Sequence, residues 1–562
     1  MFDKILIANR GEIAARIIRT CHERGVVAVA VHSDPDAGAR HVRMADESVK
    51  LPGSTPADTY LNVEALLQAA ASTDAQAVHP GYGFLSENAA FAQAVIDAGL
   101  SWVGPPPDAT RAVGDKVRAR NIAHAAGVPL VPGVLEPVES FDVVLEFGER
   151  HGYPLAVKAA GGGGGRGLKI ARSAKEVEDS FVSARREAEA YFGSSDVYVE
   201  RYLEAPKHLE VQILAPNPDE ALWLGVRDCS LQRRHQKLIE ETPPARWAER
   251  SADMGAAAVA LSKACGYVNA GTVEMLVDDA GDFYFLEVNA RLQVEHTVTE
   301  EVLGLDLVAC QLQIAAGDPI GFSQDDVEMR MDGHAIECRI NAEDPAREFF
   351  PASGPIERYE EPTGLGVRVD SGYSAGDVIP DAYDSLIAKL IVRGNDREEA
   401  RTRMLRALED FVLEGPRTTI PAHLLLLEDN DFIRGTHTTR TVEDSDVLAS
   451  LALDDQAVTQ DDVLLVAGRP VRLWHPAMAA SAAAAVHAGA VGSGELAAPM
   501  QGTIVKVLVT EGDKIEVGDP VVALEAMKME TTLAAQVAGT VVELHARVGE
   551  TAKAGQILVR IE

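Results

Sequence analysis

Short apolar runs alternate with a helical pattern over the first part of the chain. Residues 4–8 and 26–32 are mainly apolar and have the length of buried strands, whereas Gly11–Glu23 between them has the apolar spacing of an amphipathic helix. The runs at 76–80 and 100–104 continue the strand pattern. Strands that alternate with helices predict an open α/β unit. The turn after the first strand lacks the GxGxxG sequence, which argues against a nicotinamide-binding site.

A second α/β pattern begins near residue 113 and contains most of the polar motifs of the chain. The strand-like runs 333–341 and 386–393 and the helical run 398–411 follow it. Further on, residues 461–474 surround a glycine-containing turn and predict one hairpin, and the stretch 476–494, rich in small residues, predicts a linker. The predicted units are therefore residues 1–112, 113–330, 331–445, a linker with a hairpin at 446–496, and a small unit at 497–562.

The last segment of the chain is an internal duplication. Gly502-Thr-Ile-Val matches Gly539-Thr-Val-Val, and at the same spacing residues 521–525 match residues 558–562. Two short β halves that share one core predict a small sandwich. The sequence Ala-Met-Lys-Met separates the halves, so we expect Lys528 on the exposed turn between them.

The composition narrows the possible partners and the compartment. The chain has 562 residues and a formal net charge of -34, which argues against nucleic acid or an anionic membrane surface as a partner. Its five cysteines are scattered and form no CxxC pair, which predicts neither a disulfide framework nor a zinc site. The sequence has no signal-peptide pattern and no apolar stretch long enough to span a membrane, so we expect a cytoplasmic protein.

A glycine-rich run after Lys158 separates two apolar runs. Gly163, Gly164 and Gly165 lie in this run, and Leu168 and Lys169 follow it. We predict a hairpin whose free main-chain N–H groups wrap around phosphates. The loop is not a Walker A motif, because no Lys-Ser/Thr pair follows the last glycine, and it is not a Rossmann loop, because no helix follows.

Two carboxylates and an amide lie on neighbouring predicted strands. Glu274 precedes the turn signal at 278–282, and Glu287 and Asn289 follow it. Glu287 and Asn289 are two residues apart and therefore share one face of their strand. Such oxygen ligands suit Mg²⁺ bound to ATP phosphates.

Two further segments, 227–237 and 289–296, combine basic and amide side chains with a carboxylate. In so acidic a chain, these donors indicate binding of an anion such as carboxyphosphate.

Five blocks, in order along the chain, together resemble the biotin carboxylase branch of the ATP-grasp enzymes. The blocks are His79-Pro-Gly-Tyr-Gly-Phe-Leu-Ser-Glu-Asn, residues 158–167, residues 228–237, Arg291-Leu-Gln-Val-Glu-His and Glu337-Cys-Arg-Ile-Asn-Ala-Glu-Asp. The Ala-Met-Lys-Met turn resembles the biotinylation site of biotin carboxyl carrier domains. The resemblance implies an α/β fold, with a Rossmann-like N-terminal domain, an ATP-grasp domain and an α+β C-terminal domain, plus an all-β carrier of the biotinyl/lipoyl type.

The resemblance also implies roles for individual residues. The residues implied for nucleotide phosphates are Lys116, Lys158 and His208, with the glycine loop as a lid; those for adenine and ribose are Glu200, Leu203, Gln232 and His235. The implied Mg²⁺ ligands are Glu274 and Glu287, with Asn289 beside them. Bicarbonate is expected on Lys237, Arg291, Gln293 and the Val294 amide, with Glu295 as its general base. Arg339 is expected to stabilise the biotin enolate, Tyr82 to line the biotin pocket, and Lys528 to carry biotin.

The implied function is ATP- and bicarbonate-dependent carboxylation of biotin on the chain's own carrier domain. The cofactors would be covalent biotin, ATP and Mg²⁺ or Mn²⁺, and bicarbonate would be a substrate. We expect the alpha subunit of an acyl-CoA carboxylase, with a two-subunit pyruvate carboxylase as the alternative. The partners would be a separate carboxyltransferase subunit in a large hetero-oligomer and a biotin protein ligase. A ligase that joins a carboxylate to an amine, or a pure biotin or lipoyl carrier, explains fewer of the motifs.

Overall fold

The computed structural model describes residues 1–134, 136–159, 168–192, 195–454, 463–466, 469–472, 494–498, 502–526, 529–553 and 555–562. The first part forms a parallel sheet, as the alternation of strands and helices predicts. In spatial order its strands are Glu47–Lys50, Val27–His32, Lys4–Ile7, Ala77–His79 and Ser101–Trp102. Its helices are Gly11–Glu23, Arg40–Met44, Val63–Ser72, Ala89–Asp97 and Pro107–Gly114. The middle strand is buried on both faces, as Ile5, Leu6 and Ile7 are fully buried.

An eight-stranded antiparallel sheet, called the central sheet below, carries most of the predicted site residues. In spatial order its strands are Phe283–Asn289, Asn269–Val277, Lys207–Asn217, Glu220–Arg233, Gln236–Thr242, His334–Asn341, Leu386–Gly394 and Val367–Ser371. The sheet runs across residue 330, where the sequence predicts a domain boundary. Ile239 pairs with Cys338 there, so the two predicted units share main-chain hydrogen bonds.

A separate three-stranded sheet contains the predicted glycine-loop hairpin. Leu168–Ala171 pairs antiparallel with Leu155–Ala159, whose other neighbour is Val197–Arg201. The helices Phe141–His151 and Val177–Phe192 cover this sheet and share its core. The pairing of the flanking strands confirms the hairpin, while Gly163, Gly164 and Gly165 lie outside the described residues.

The remaining elements surround the central sheet or follow it. The helices are Lys116–Ala125, Ser251–Ala264, His296–Leu303, Leu307–Ala315, Gln324–Arg330, Arg397–Asp410, Ile420–Glu428, Asn430–Arg434, Thr441–Asp444 and Ala449–Asp454, with single 3₁₀ turns at Ala174–Glu176, Ala248–Arg250 and Pro345–Arg347. Short strand pairs join Glu343–Asp344 to Phe350–Pro351, Gly354–Pro355 to Val378–Ile379, and Arg358–Glu360 to Val412–Glu414. Val463–Val466 pairs with Arg469–Arg472, which confirms the hairpin predicted there. None of the helices in the described ranges is long and apolar enough to cross a membrane.

The C-terminal unit is the small sandwich that the duplication predicts. One sheet contains Glu495–Ala497, Ile557–Ile561, Gly539–Leu544 and Lys514–Ile515, and the other Met529–Ala534, Pro520–Ala526, Gly502–Val507 and Thr551–Ala552. Equivalent positions of the two repeats fill one core, since Ile504, Val522 and Leu524 are buried together with Val541, Val559 and Ile561. The strands on either side of Lys528 pair as far as Ala526 and Met529, and Lys528 itself lies outside the described residues.

Candidate active site

One face of the central sheet gathers buried charged side chains from several strands. His208, Glu210 and Gln212 alternate with apolar residues on one strand, so they share a face, and all three are buried. On the next strand, Glu274 lies directly opposite Glu210. Glu210 was not identified from the sequence, although the alternation of His208, Glu210 and Gln212 with leucine, valine and isoleucine was the signal that could have found it.

The Lys237 ammonium lies at the centre of this face. Its Nζ is 2.7 Å from Glu210 Oε2, 3.0 Å from Glu274 Oε1 and 2.7 Å from Glu295 Oε1. An ammonium has three N–H donors, and each has a carboxylate within reach here. Arg227 supplies a second positive charge, since its Nε donates to Glu210 Oε1 over 2.5 Å. Both Arg227 and Glu210 are fully buried.

Glu295, the predicted general base, is held between two cations. Its Oε1 faces Lys237, and its Oε2 accepts a hydrogen bond of 2.8 Å from Arg339 Nη2. Burial alone would raise the pKa of this carboxyl, but Lys237, Arg339 and Arg227 outweigh burial and hold it well below its usual range. Glu295 is therefore an anion at neutral pH, which a base requires.

Arg339 also contacts a second acid that was not assigned from the sequence. Arg339 Nε donates to Glu240 Oε1 over 2.6 Å, and Glu240 pairs across the sheet with Glu337. Burial raises the pKa of Glu240 to about 8 and that of Glu337 to about 7. Each acid has one oxygen without a partner among the described residues, but Glu240 accepts from the charged Arg339 whereas Glu337 accepts only from the neutral Thr297 hydroxyl, so we place the proton of this pair on Glu337.

The protonated Glu337 leads to a prediction about stability. The folded protein keeps this proton up to about pH 7, whereas the unfolded chain releases it near the ordinary glutamate pKa of 4.5. The proton on Glu337 therefore contributes fully to the free energy of unfolding below the pKa of the unfolded chain, and this contribution is lost as pH rises through the pKa of the folded protein. Glutamine stays neutral, so we expect the Tm of Glu337→Gln to rise relative to wild type from about pH 5 to about pH 8 in thermal unfolding. For the exposed control Glu398→Gln, the difference in Tm from wild type should stay constant over that range. A constant Tm difference for Glu337→Gln would contradict the assignment of the proton to Glu337.

The predicted metal ligands lie next to each other. Glu274 and Glu287 are directly opposite on paired strands, as the turn signal between them predicts. His208 Nε2 is 3.1 Å from Glu274 Oε2, and Lys116 Nζ is 3.8 Å from Glu287 Oε2. Burial and the neighbouring Glu274 raise the pKa of Glu287, which shows that this carboxylate lacks full compensation. Glu287 thus adds a carboxylate with a shortage of positive charge directly opposite Glu274, which fits a divalent cation.

The segment after these strands brings the remaining predicted anion-binding groups to the same face. Gln293 Nε2 donates to Glu274 Oε1 over 3.1 Å, and Arg291 Nη2 donates to Asn289 Oδ1 over 2.7 Å. Glu87, from the N-terminal sheet unit, accepts from Arg291 Nε over 3.1 Å. Val294 precedes Glu295 in this segment, which is called the anion loop below and comprises residues 291–295.

The predicted nucleotide-binding residues form two groups. Glu200 contacts Lys158, and it accepts a hydrogen bond of 2.7 Å from Arg120; Leu203 follows its strand. Gln232 is buried and His235 is exposed, at the end of the hairpin between Glu220–Arg233 and Gln236–Thr242. No hydrogen bond joins this hairpin end to Glu200 within the described parts of the chain.

Tyr82, the predicted biotin-pocket residue, reaches the anion loop through a lysine. Its ring centroid is 5.9 Å from Lys389 Nζ, which donates to the Val294 carbonyl. The Tyr82 hydroxyl is buried and has no hydrogen-bond partner among the described residues, so a polar ligand atom could satisfy it.

Family models match the chain in four stretches. They are described as "Biotin carboxylase, N-terminal domain" at residues 1–110, "Carbamoyl-phosphate synthase L chain, ATP binding domain" at 115–322, "Biotin carboxylase C-terminal domain" at 337–444, and "Biotin-requiring enzyme" at 494–561. These matches agree with the fold class expected from the sequence.

Known proteins match either the whole chain or its larger part. The Mycobacterium leprae biotin-dependent acyl-coenzyme A carboxylase alpha3 subunit is 45% identical and covers 100% of this chain and 98% of its own length. The biotin carboxylase of a Nostoc species is 49% identical over 79% of this chain and 99% of its own. The solved biotin carboxylase domain of Hydrogenobacter thermophilus 2-oxoglutarate carboxylase, in complex with MgADP and bicarbonate, is 44% identical, with a TM-score of 0.73 over 80% of this chain and 99% of that one. The chain therefore belongs to the biotin carboxylase family, as a ligase with a biotin carrier domain fused behind it.

Proposed function

We propose that this chain carboxylates biotin on its own Lys528 and serves as the alpha subunit of an acyl-CoA carboxylase. The match that carries the acyl-CoA assignment is the Mycobacterium leprae protein, because it includes the carrier as well as the carboxylase part. The matching component of a Methanothermobacter thermautotrophicus pyruvate carboxylase covers only 79% of this chain, so a two-subunit pyruvate carboxylase is the second candidate.

The site supports removal of a proton from bicarbonate. We assign this step to Glu295, which the buried cations keep ionised. Lys237, Arg291, Gln293 and the Val294 amide would bind the bicarbonate anion. Once deprotonated, a bicarbonate oxygen attacks the γ-phosphorus of ATP, and the γ-phosphoryl group passes to that oxygen with ADP as the leaving group. The products are carboxyphosphate and ADP.

Mg²⁺ would be held by Glu274 and Glu287, with Asn289 beside them, and supplies charge neutralisation at the transferred phosphoryl group. Lys116, Lys158 and His208 would bind the phosphates, with Gly163, Gly164 and Gly165 above them as a lid. Glu200, Leu203, Gln232 and His235 would bind adenine and ribose. Biotin, when attached to Lys528, would supply the ring nitrogen that accepts the carboxyl group of carboxyphosphate, with phosphate as the leaving group and as the acceptor of the proton from that nitrogen. Arg339 would donate to the ureido carbonyl oxygen of biotin, which becomes the enolate oxygen, and Tyr82 would line the pocket.

The metal assignment predicts an altered Mg²⁺ requirement for Glu287→Gln. Mutation of a residue that only hydrogen-bonds to a metal ligand typically lowers the affinity for the metal about 10–100-fold. Loss of a ligand itself should therefore lower the affinity for Mg²⁺ at least about tenfold. We expect a correspondingly higher Mg²⁺ concentration for half-maximal ATP hydrolysis. The control is Glu220→Gln, an exposed acid on the central sheet. An unchanged Mg²⁺ titration for Glu287→Gln would exclude Glu287 as a ligand.

The proposed partners are a separate carboxyltransferase subunit, in a large cytoplasmic hetero-oligomer, and a biotin protein ligase that modifies Lys528. The test is to purify the native complex through this chain and supply ATP, Mg²⁺ and labelled bicarbonate with acetyl-CoA, propionyl-CoA, longer acyl-CoAs or pyruvate. We expect label in an acyl-CoA product with the complex and none with the isolated chain. Label in a product of pyruvate would favour the two-subunit pyruvate carboxylase. Label in any acyl-CoA or pyruvate product of the isolated chain would show that no separate carboxyltransferase subunit is needed.

A further inference from the structure

A fully buried lysine contacts the main chain of the anion loop. Lys389 lies on the strand Leu386–Gly394 and has no exposed surface. Its Nζ donates a hydrogen bond of 2.9 Å to the carbonyl oxygen of Val294. The two residues come from parts of the chain 95 positions apart, so the contact is made by the fold alone.

An acid from the N-terminal helix completes this arrangement. Glu12, in the first turn of Gly11–Glu23, places Oε2 3.3 Å from Lys389 Nζ. Neither carboxylate oxygen of Glu12 has a hydrogen-bond partner among the described residues. Burial raises the pKa of Glu12 to about 7, against the opposing effect of Lys389. Three regions of the chain therefore meet at one ammonium: the N-terminal helix, the anion loop and a strand of the central sheet.

Burying an ammonium is unfavourable unless its surroundings compensate for the lost hydration. Lys389 lies directly opposite Asp370 on one neighbouring strand and directly opposite Arg339 on the other. Arg368 and Lys389 hold the pKa of Asp370 below its usual range, and Lys389 opposes the rise that burial causes in the pKa of Glu337. This ammonium therefore favours the charged form of two acids near the site. Its hydrogen bond, however, goes to the uncharged Val294 carbonyl.

That carbonyl belongs to the peptide unit that joins Val294 to Glu295. Because peptide units are planar, a donor that fixes the oxygen restrains the dihedral angles on both sides of the unit. The preceding unit is held as well, since His296 Nδ1 is 2.7 Å from the Gln293 carbonyl oxygen. The Val294 N–H belongs to that preceding unit. Both peptide planes that set the directions of the Val294 N–H and the Glu295 side chain are therefore anchored.

We propose that Lys389, supported by Glu12, is a positioning residue that fixes the anion loop for bicarbonate. The inference rests on the proposed function, because it takes the Val294 amide and Glu295 as the groups that meet bicarbonate. Lys389 acts through the loop and does not touch the substrate itself. Loss of its hydrogen bond should therefore weaken the use of bicarbonate and leave the binding of ATP nearly unchanged.

The test compares Lys389→Met, Lys389→Arg and Glu12→Gln in the full chain, by biotin-dependent ATP hydrolysis. We expect Lys389→Met to raise the KM for bicarbonate about tenfold or more, as fits loss of a hydrogen bond from a charged donor, with the KM for ATP changed less than about twofold. Lys389→Arg should raise the KM for bicarbonate less than Lys389→Met does, since it keeps a cationic donor. Glu12→Gln should raise the KM for bicarbonate by about threefold.

The matched control is Lys207→Met, another buried lysine of the central sheet, which contacts Asp228 and His437 and not the loop. It should lower the Tm and leave the KM for bicarbonate unchanged. A folded Lys389→Met with the wild-type KM for bicarbonate would overturn the proposal, as would equal rises in both KM values. If Lys389→Met does not fold, Glu12→Gln decides in the same way. A wild-type chain without bicarbonate-dependent hydrolysis would instead overturn the proposed function.

Discussion

Glu295→Gln is expected to lose about two to four orders of magnitude in bicarbonate-dependent ATP hydrolysis, the usual contribution of a positioned general base. Glutamine has nearly the same shape and keeps one oxygen that can accept from Lys237 or Arg339, but it cannot take up the bicarbonate proton. Glu295 is fully buried, and its carboxylate is held in position by these two cations. The measurement is the rate of ADP release at saturating ATP, with and without bicarbonate and free biotin.

A matched control separates loss of the base from loss of buried charge. Glu241 lies on the strand Gln236–Thr242 and is equally buried, but it pairs with His334 and Arg397. Glu241→Gln should lower the Tm and leave the hydrolysis rate within about twofold of wild type. If Glu295→Gln hydrolyses ATP at the wild-type rate, bicarbonate is deprotonated by another group.

Lys237→Met is expected to remove activity and to destabilise the fold. The substitution leaves Glu210, Glu274 and Glu295 close together without the ammonium that faces all three. Breaking a buried ion pair on one side typically costs about 3–5 kcal/mol. We expect a fall of at least about a hundredfold in bicarbonate-dependent hydrolysis, because a donor to the anion and the charge balance of the base are lost together.

The measurement for Lys237 is chemical denaturation together with the hydrolysis assay. Lys50→Met is the control, since the Lys50 side chain is 62% exposed in its pair with Asp34 and such surface pairs contribute little. The control should match wild type in both assays. A stable Lys237→Met with normal hydrolysis would show that the central ammonium is dispensable.

Local sequence patterns predicted the parts of the fold that depend on neighbouring residues. The turn signal between Glu274 and Glu287 predicted that these strands pair, and they do so with Glu274 opposite Glu287 and a register shift at Met275. The duplication predicted a shared core, and the equivalent positions Ile504 and Val541 are both buried in it. In each case the pairing depends on a short turn or on a repeat, both of which are visible in the sequence.

The contacts between distant strands could not be predicted in the same way. Glu210 lies on a strand of alternating pattern, which indicates the face of the sheet but not the cation that the acid meets, and the strand of Glu240 has no such alternation. The contact of Lys389 with Val294 depends on how a strand beyond residue 380 joins the central sheet, and no local pattern contains that information. The continuity of the central sheet across residue 330 could not be predicted for the same reason, because the order of its strands depends on pairing between distant parts of the chain.

The most direct test of the central claim follows label from bicarbonate to the carrier. The biotinylated full chain and a Lys528→Arg variant are each incubated with ATP, Mg²⁺ and labelled bicarbonate, and protein-bound label is then located by peptide mapping. We predict label on the peptide that contains Lys528 in the wild type and none in the variant, which should still hydrolyse ATP when free biotin is added. Protein-bound label in Lys528→Arg, or no label in the fully biotinylated wild type, would contradict the claim that this chain carboxylates biotin on its own carrier.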